Sequence, residues 1–148
     1  ESEKEINAPI EKVFERVSDF ASFENGLKAR GAEVKRQDSL AEPGVGLAWD
    51  IKYSFRGSRR QANVVIDEMR SPNKLKSSAV SSGINATVNV RLESLGLNKT
   101  KMKIDVNMKS TNLTAKVLLK SLTLAKSGLS SRFDKRVSQF GKRIEASV

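Results

Sequence analysis

The chain has 148 residues, a formal net charge of +10, and neither His nor Cys. Its length suits one domain over residues 1–148 with a core that needs no cross-links. The missing residue types exclude Cys/His zinc sites, iron–sulfur clusters, His-ligated haem, Ser-His-Asp triads and thiol nucleophiles.

The first elements read as a strand and two short helices. ESEKEINA is a polar strand that ends at Ala8-Pro9. Proline suits a helix start, and Ile10, Val13, Phe14 and Val17 then fall at i, i+3, i+4 and i+7, one apolar stripe of a short helix. Ser18 or Asp19 caps a second helix over 19–24, which Asn25-Gly26 closes.

Strand signals follow. A weak strand covers 32–38, and Pro43-Gly44-Val45-Gly46 is a turn. Leu47, Trp49, Ile51, Tyr53 and Phe55 alternate with polar or small residues, which predicts a strand with one buried face. Asp50 and Lys52 share its outward face. Arg56-Gly57-Ser58 is a hairpin turn, and Ala62, Val64 and Ile66 alternate on the returning strand. Beyond Ser71-Pro72-Asn73, a Ser-rich strand covers 75–81. Ala86, Val88, Val90 and Leu92 mark another strand, and Met102, Ile104, Val106 and Met108 the last. Six consecutive strands joined by short turns predict an antiparallel meander with one apolar face.

Residues 113–147 supply the cover for that face. Leu113, Val117, Leu118, Leu122, Ala125, Leu129, Phe133, Val137, Phe140 and Ile144 recur at helical spacing, with a bend expected at Ser127-Gly128 and a cap at Thr111 or Asn112. This segment also carries the charge. Residues 1–108 hold 18 basic and 15 acidic residues, whereas 109–148 hold nine and two. The excess suits a solvated helix face or an anionic membrane surface. Nucleic acid is disfavoured, because the outward positions offer no aromatic stacking. No apolar run approaches the roughly 20 residues of a transmembrane helix.

The order of elements resembles the SRPBCC superfamily, the START-related helix-grip domains that include polyketide cyclase-like and birch-pollen-allergen-like proteins. Ile6-Asn7-Ala8-Pro9-Ile10-Glu11-Lys12-Val13-Phe14 is similar to that group's "I-x-A-P-x-x-x-V-[FW]" opening, and Val17-Ser18-Asp19-Phe20 to its helix break at Asp. Gly44-Val45-Gly46 and Met69-Arg70-Ser71-Pro72-Asn73-Lys74-Leu75 resemble its glycine and proline turns. Where relatives often carry Trp-Pro or Trp-Asn, this chain has Phe23-Glu24. The resemblance implies an α+β helix-grip fold, a curved antiparallel sheet of about seven strands on a long C-terminal helix, with an internal cavity for a lipid, quinone or polyketide-like molecule.

On that reading, the expected cavity residues are Trp49, Tyr53, Arg60, Val64, Val88, Met102, Ile104, Met108, Leu118, Leu122 and Phe133. Arg56 and Arg59 are expected at the mouth with Arg60, where guanidiniums suit a carboxylate or phosphate. No metal and no cofactor are expected. A carrier is the first reading; a cyclase or dehydratase using Tyr53 or Arg60 to polarise a carbonyl is the alternative, as is a helper docked on membranes by the basic helix. The lack of Cys fits a cytoplasmic setting, with peripheral membrane contact.

Overall fold

The Ile-Asn-Ala-Pro opening builds the first corner of the fold. In the computed structural model, which describes residues 2–37, 44–55, 57–124 and 126–146 (backbone only for Phe55, Leu118 and 121–131), strand β1 covers Ser2–Ile6 and helix α1 covers Ile10–Val17. Pro9 caps α1 in an extended conformation, and Ile10, Val13 and Phe14 are the buried positions, as the stripe predicts.

Helix α2 covers Phe20–Ala29. The Asp19 carboxylate caps it, accepting from the Ser22 backbone N–H at 3.2 Å and the Ser22 hydroxyl at 2.8 Å. The helix does not stop at Asn25-Gly26. A glycine inside a helix costs only about 1 kcal/mol, and Phe20 and Leu27 pack against the core on either side of it. The stop comes at Gly31, whose φ of +88° favours glycine.

The remaining strands are β2 (Glu33–Arg36), β3 (Ala48–Phe55), β4 (Ser58–Arg70), β5 (Lys74–Ser81), β6 (Ile84–Gly96) and β7 (Lys99–Ser110). They form one curved antiparallel sheet in the order β1-β7-β6-β5-β4-β3-β2. The predicted meander is therefore present, with the first strand closing onto the last. Asp50 and Lys52 do share an outward face, but Asp50 accepts from the cross-strand Gln61 amide at 2.6 Å. The Ser71-Pro72 peptide between β4 and β5 is cis. An irregularity between Ile66 and Glu68 inserts one residue into β4. It shifts the inward phase, so Met69 joins the core although it is out of step with Ile66.

The C-terminal segment is helical as α3 (Leu113–Leu124) and α4 (Lys126–Ala146). Ser127-Gly128, where a bend is expected, is helical within α4. Asn112 is the cap of α3, accepting from the Ala115 N–H at 2.8 Å. In α4 the stripe holds: Val137 and Ile144 are buried, with Phe133 and Phe140 packed against the core. Gly141 lets this helix approach β1 closely, since a Cβ there would meet Lys4 and Ile6 side chains at 3.1–3.4 Å. In α3 the stripe does not hold at its first two positions. Leu113 and Val117 are 77% and 65% exposed, and the residue turned in against the sheet is Ala115. Ala115 lies about 200° round the helix from Leu113, so burying it turns the apolar pair outward.

The packed core gathers at one end of the sheet's inner face, where Ile6, Val13, Phe14, Leu75, Val90, Leu92 and Met102 meet. Thr100 is fully buried there, and its hydroxyl donates to the Ala8 carbonyl at 2.8 Å, tying β7 to the link between β1 and α1. Thr100→Val keeps the shape and removes the donor. We expect a loss of about 1–3 kcal/mol, read from urea unfolding.

The two Ser22 hydrogen bonds, the side-chain one first, hold the Asp19 carboxyl below its usual value of 3.8. A carboxyl lowered by folding stabilises the fold above its unfolded value, and that contribution is lost as pH falls through the folded one. The stability difference between the native chain and Asp19→Ala should therefore shrink as pH is taken below 3.8, measured by denaturant midpoints along the series.

Candidate functional site

Away from the packed end, the inner face of the sheet changes in side-chain size. Register places Val64, Ala79, Ala86 and Met108 in one row across β4, β5, β6 and β7, and Ala62, Ser81 and Ile84 in the next. Methyl and hydroxymethyl groups cannot span the roughly 10 Å between a sheet and the layer packed on it. A cavity of about 710 Å³ opens over all of these positions except Val64, on a scale that suits a small molecule. Ala62, Ala79 and Ala86 line it from below, with Ile51, Tyr53 and Met108 beside them. Leu27, Arg30, Gly31 and Ala32, from the end of α2 and the turn after it, form the facing wall.

Two charged residues line the cavity, Arg30 and Arg60, and no Asp or Glu does so among the described residues. Arg60 lies opposite Tyr53 across β3 and β4. The Tyr53 hydroxyl is 2.7 Å from Ser81 Oγ, which itself donates to the Gln61 carbonyl at 2.8 Å. Ser81 has one hydroxyl hydrogen, so it is Tyr53 that donates to Ser81. The phenol proton is therefore held by the wall, and its oxygen turns lone pairs to the cavity. A substrate carbonyl would find no free proton on Tyr53 in this arrangement.

The rim is held by the β5–β6 turn. Ser82 and Gly83 both have positive φ, at 51° and 79°, as a two-residue hairpin requires. Thr111 donates twice to the Gly83 carbonyl, from its N–H at 2.7 Å and its hydroxyl at 2.8 Å. These bonds fasten the start of α3 to the cavity edge. A Cβ on Gly83 would collide with the Asn112 side chain.

The structure sorts the residues expected here into three groups. Tyr53, Arg60 and Met108 line the cavity. Trp49, Val64, Val88, Met102, Ile104 and Phe133 do not; they belong to the packed core or lie directly against it. Trp49 is 1% exposed, its indole N–H donates to Glu24 Oε1 at 2.7 Å, and the Phe20 and Phe23 rings sit 5.5 and 5.3 Å away. Its polar edge is thus satisfied by α2, not offered to a ligand. The Leu118 and Leu122 side chains, and Arg56, lie outside the described residues. Arg59 faces outward, pairing with Glu33 at 3.4 Å. Arg30 and Leu27 are wall residues that the sequence reading misses, because it ends α2 at Gly26. The signal was present: Phe20, Phe23 and Leu27 continue the apolar spacing past that glycine.

Among the described residues there is no cluster of metal-binding side chains. No protein-family model matches the sequence, and no curated protein matches it. Solved structures do. The Zhui aromatase/cyclase from Streptomyces sp. R1128 matches with a TM-score of 0.65 at 12% identity, over 98% of this chain and 94% of that one. Ara h 8.0201 matches with a TM-score of 0.61 at 14% identity, over 98% and 93%. A START superfamily protein from Mycobacterium smegmatis matches with a TM-score of 0.58 at 13% identity, over 93% and 94%.

The chain has the helix-grip fold of these structures. Within it, the Phe23-Glu24 pair that departs from the group's pattern acquires a reason: Phe23 meets Trp49 edge to face and Glu24 accepts from its indole N–H. The bond anchors α2, and with it the facing wall of the cavity, to β3.

Glu24→Leu strands a buried indole N–H, and we expect it to lower stability by about 1–3 kcal/mol. Glu24→Gln, which keeps an acceptor, should lose less. Trp49 is the only tryptophan, so its fluorescence in a urea titration reads the change directly.

Proposed function

We propose that this domain binds a small hydrophobic molecule in the cavity between the inner face of β3–β7 and the end of α2. The observation that carries the reading is the row of small side chains, Ala62, Ala79 and Ala86, under a cavity of about 710 Å³. Filling those positions with leucine would close the space by ordinary packing. The fold agrees, since solved structures that share it include an aromatase/cyclase and a START superfamily protein.

Apolar burial supplies the affinity. Each methylene taken from water contributes about 0.8 kcal/mol, so ten of them contribute about 8 kcal/mol, against an association cost of about 4 kcal/mol or more. Walls alone therefore hold such a ligand weakly, and polar groups at the edge tighten and orient it. Carriage fits the site better than catalysis. The lining has no carboxylate among the described residues, and the Tyr53 proton is committed to Ser81.

Ala79→Leu and Ala86→Leu, made together, test the reading. The pair should fold with stability equal to or above the native chain and should lose binding of an apolar fluorescent probe by at least about tenfold. Equal probe binding by the filled and native proteins would place the ligand elsewhere. Native mass spectrometry of the native protein from cells should show a bound apolar molecule that the filled variant lacks.

A second reading concerns where the ligand is collected. Leu113 and Val117 are exposed on α3 beside the exposed Lys116 and Lys120. Apolar side chains flanked by lysines suit the surface of an anionic bilayer, where each cation contributes about 1 kcal/mol. Co-sedimentation with anionic vesicles should weaken at high salt and in Leu113→Ser with Val117→Ser.

A further inference from the structure

We propose that the ligand carries an anionic group, a carboxylate or phosphate on an apolar body, which is held by Arg30 and Arg60. This inference rests on the cavity being the ligand site and adds the chemical class of what it takes. The two arginines come from separate elements, one at the end of α2 and one in β4, yet line the same cavity. The rest of that wall is mainly alanine, isoleucine, leucine, methionine and serine.

Charge decides the sign of the head group. No acidic residue lines the cavity among the described residues, so nothing on its wall would offset two guanidiniums for a cationic ligand. A neutral ligand would take water from the half-buried Arg60 and return no charge to it. An anion gains charge-assisted hydrogen bonds from both. Arg60 already has an interaction within the protein, but a guanidinium offers five N–H donors in a fixed fork. The neighbouring Tyr53 hydroxyl cannot replace them as a donor, because its proton goes to Ser81.

Position agrees with charge. Arg30 is exposed and Arg60 half-buried, so the pair stands where the cavity meets solvent. An amphiphile would lay its tail over Ala62, Ala79 and Ala86 and leave its head at the arginines. Of the three arginines expected together at the mouth, Arg59 is engaged outward by Glu33. Arg30, from a different part of the chain, lines the same cavity as Arg60.

The test uses four single-chain probes with one tail: dodecanoate, dodecyl phosphate, dodecanol and dodecylamine, titrated below micelle formation by calorimetry or dye displacement. The native protein should bind at least one anion roughly tenfold or more tighter than the alcohol, with the amine weakest. Which anion is preferred separates a fatty-acid-like ligand from a phosphorylated one. Arg30→Gln and Arg60→Gln should each reduce anion affinity and leave alcohol affinity unchanged, and the double variant should abolish the preference. Arg30 is exposed, so its replacement leaves the core intact, and Arg60→Lys provides a charged variant for comparison. The preference should also shrink as salt rises. Equal binding of anions and alcohol, or a preference that survives the double variant, overturns the anionic class while the cavity reading stands. Failure of all four probes to bind the native protein overturns the cavity reading itself.

Discussion

A sheet packs solid against its covering layer only where its inward side chains are long enough to reach across. In this protein that condition is met at one end of the inner face and not at the other. Ile6, Leu92, Met102, Val13 and Phe14 fill the space between β1, β6, β7 and α1. Elsewhere on the same sheet, in β4, β5 and β6, the inward positions are Ala62, Ala79, Ser81 and Ala86, and the space above them stays open. The hollow is therefore a property of side-chain volume on a continuous hydrogen-bonded surface. Packing and open space are kept apart by this gradient: the packed end can hold the fold while the small end stays hollow.

The wall facing the sheet has its own support. Helix α2 buries no residue fully, so it depends on a few specific contacts. Asp19 caps its start, Gly31 ends it, and the Trp49–Glu24 bond with its two phenylalanine neighbours fastens it to β3. Arg30 is the last turn's contribution to the cavity, and its position follows from the helix running past Gly26. The opposite rim is fixed by Thr111 on the Gly83 carbonyl. Two backbone-defined edges thus frame a cavity whose lining is mostly apolar.

Enzyme chemistry in a cavity needs a group that can give or take a proton at the reacting atom. The aromatic hydroxyl on this wall gives its proton to a serine, and the described lining carries no carboxylate. What the described lining offers is two arginines and apolar surface, and the proposal of carriage rests on those groups. The same fold serves an aromatase/cyclase elsewhere, so it is the groups on the wall, not the sheet and helices, that separate holding from converting.

Much of this architecture is legible in the amino-acid order because it rests on local periods. Alternation every two residues marks β3, β4, β6 and β7, and three- and four-residue spacing marks α1 and α4. That same alternation turns Tyr53, Arg60 and Met108 inward. Local period names a face, however, and not a place along it. Trp49, Val64, Val88, Met102 and Ile104 share the inward phase with the cavity residues, but they belong to the packed core or lie against it. Arg30 shares a cavity with Arg60 only through the packing of α2 on the sheet, and Ala115 rather than Leu113 is turned inward, beside Gly83. Sequence by itself determined the elements, their order and which way each strand faces, since those depend on neighbours a few residues apart. Tertiary structure alone decided where the inner face is filled and where it is empty, since that depends on volumes brought together from distant parts of the chain.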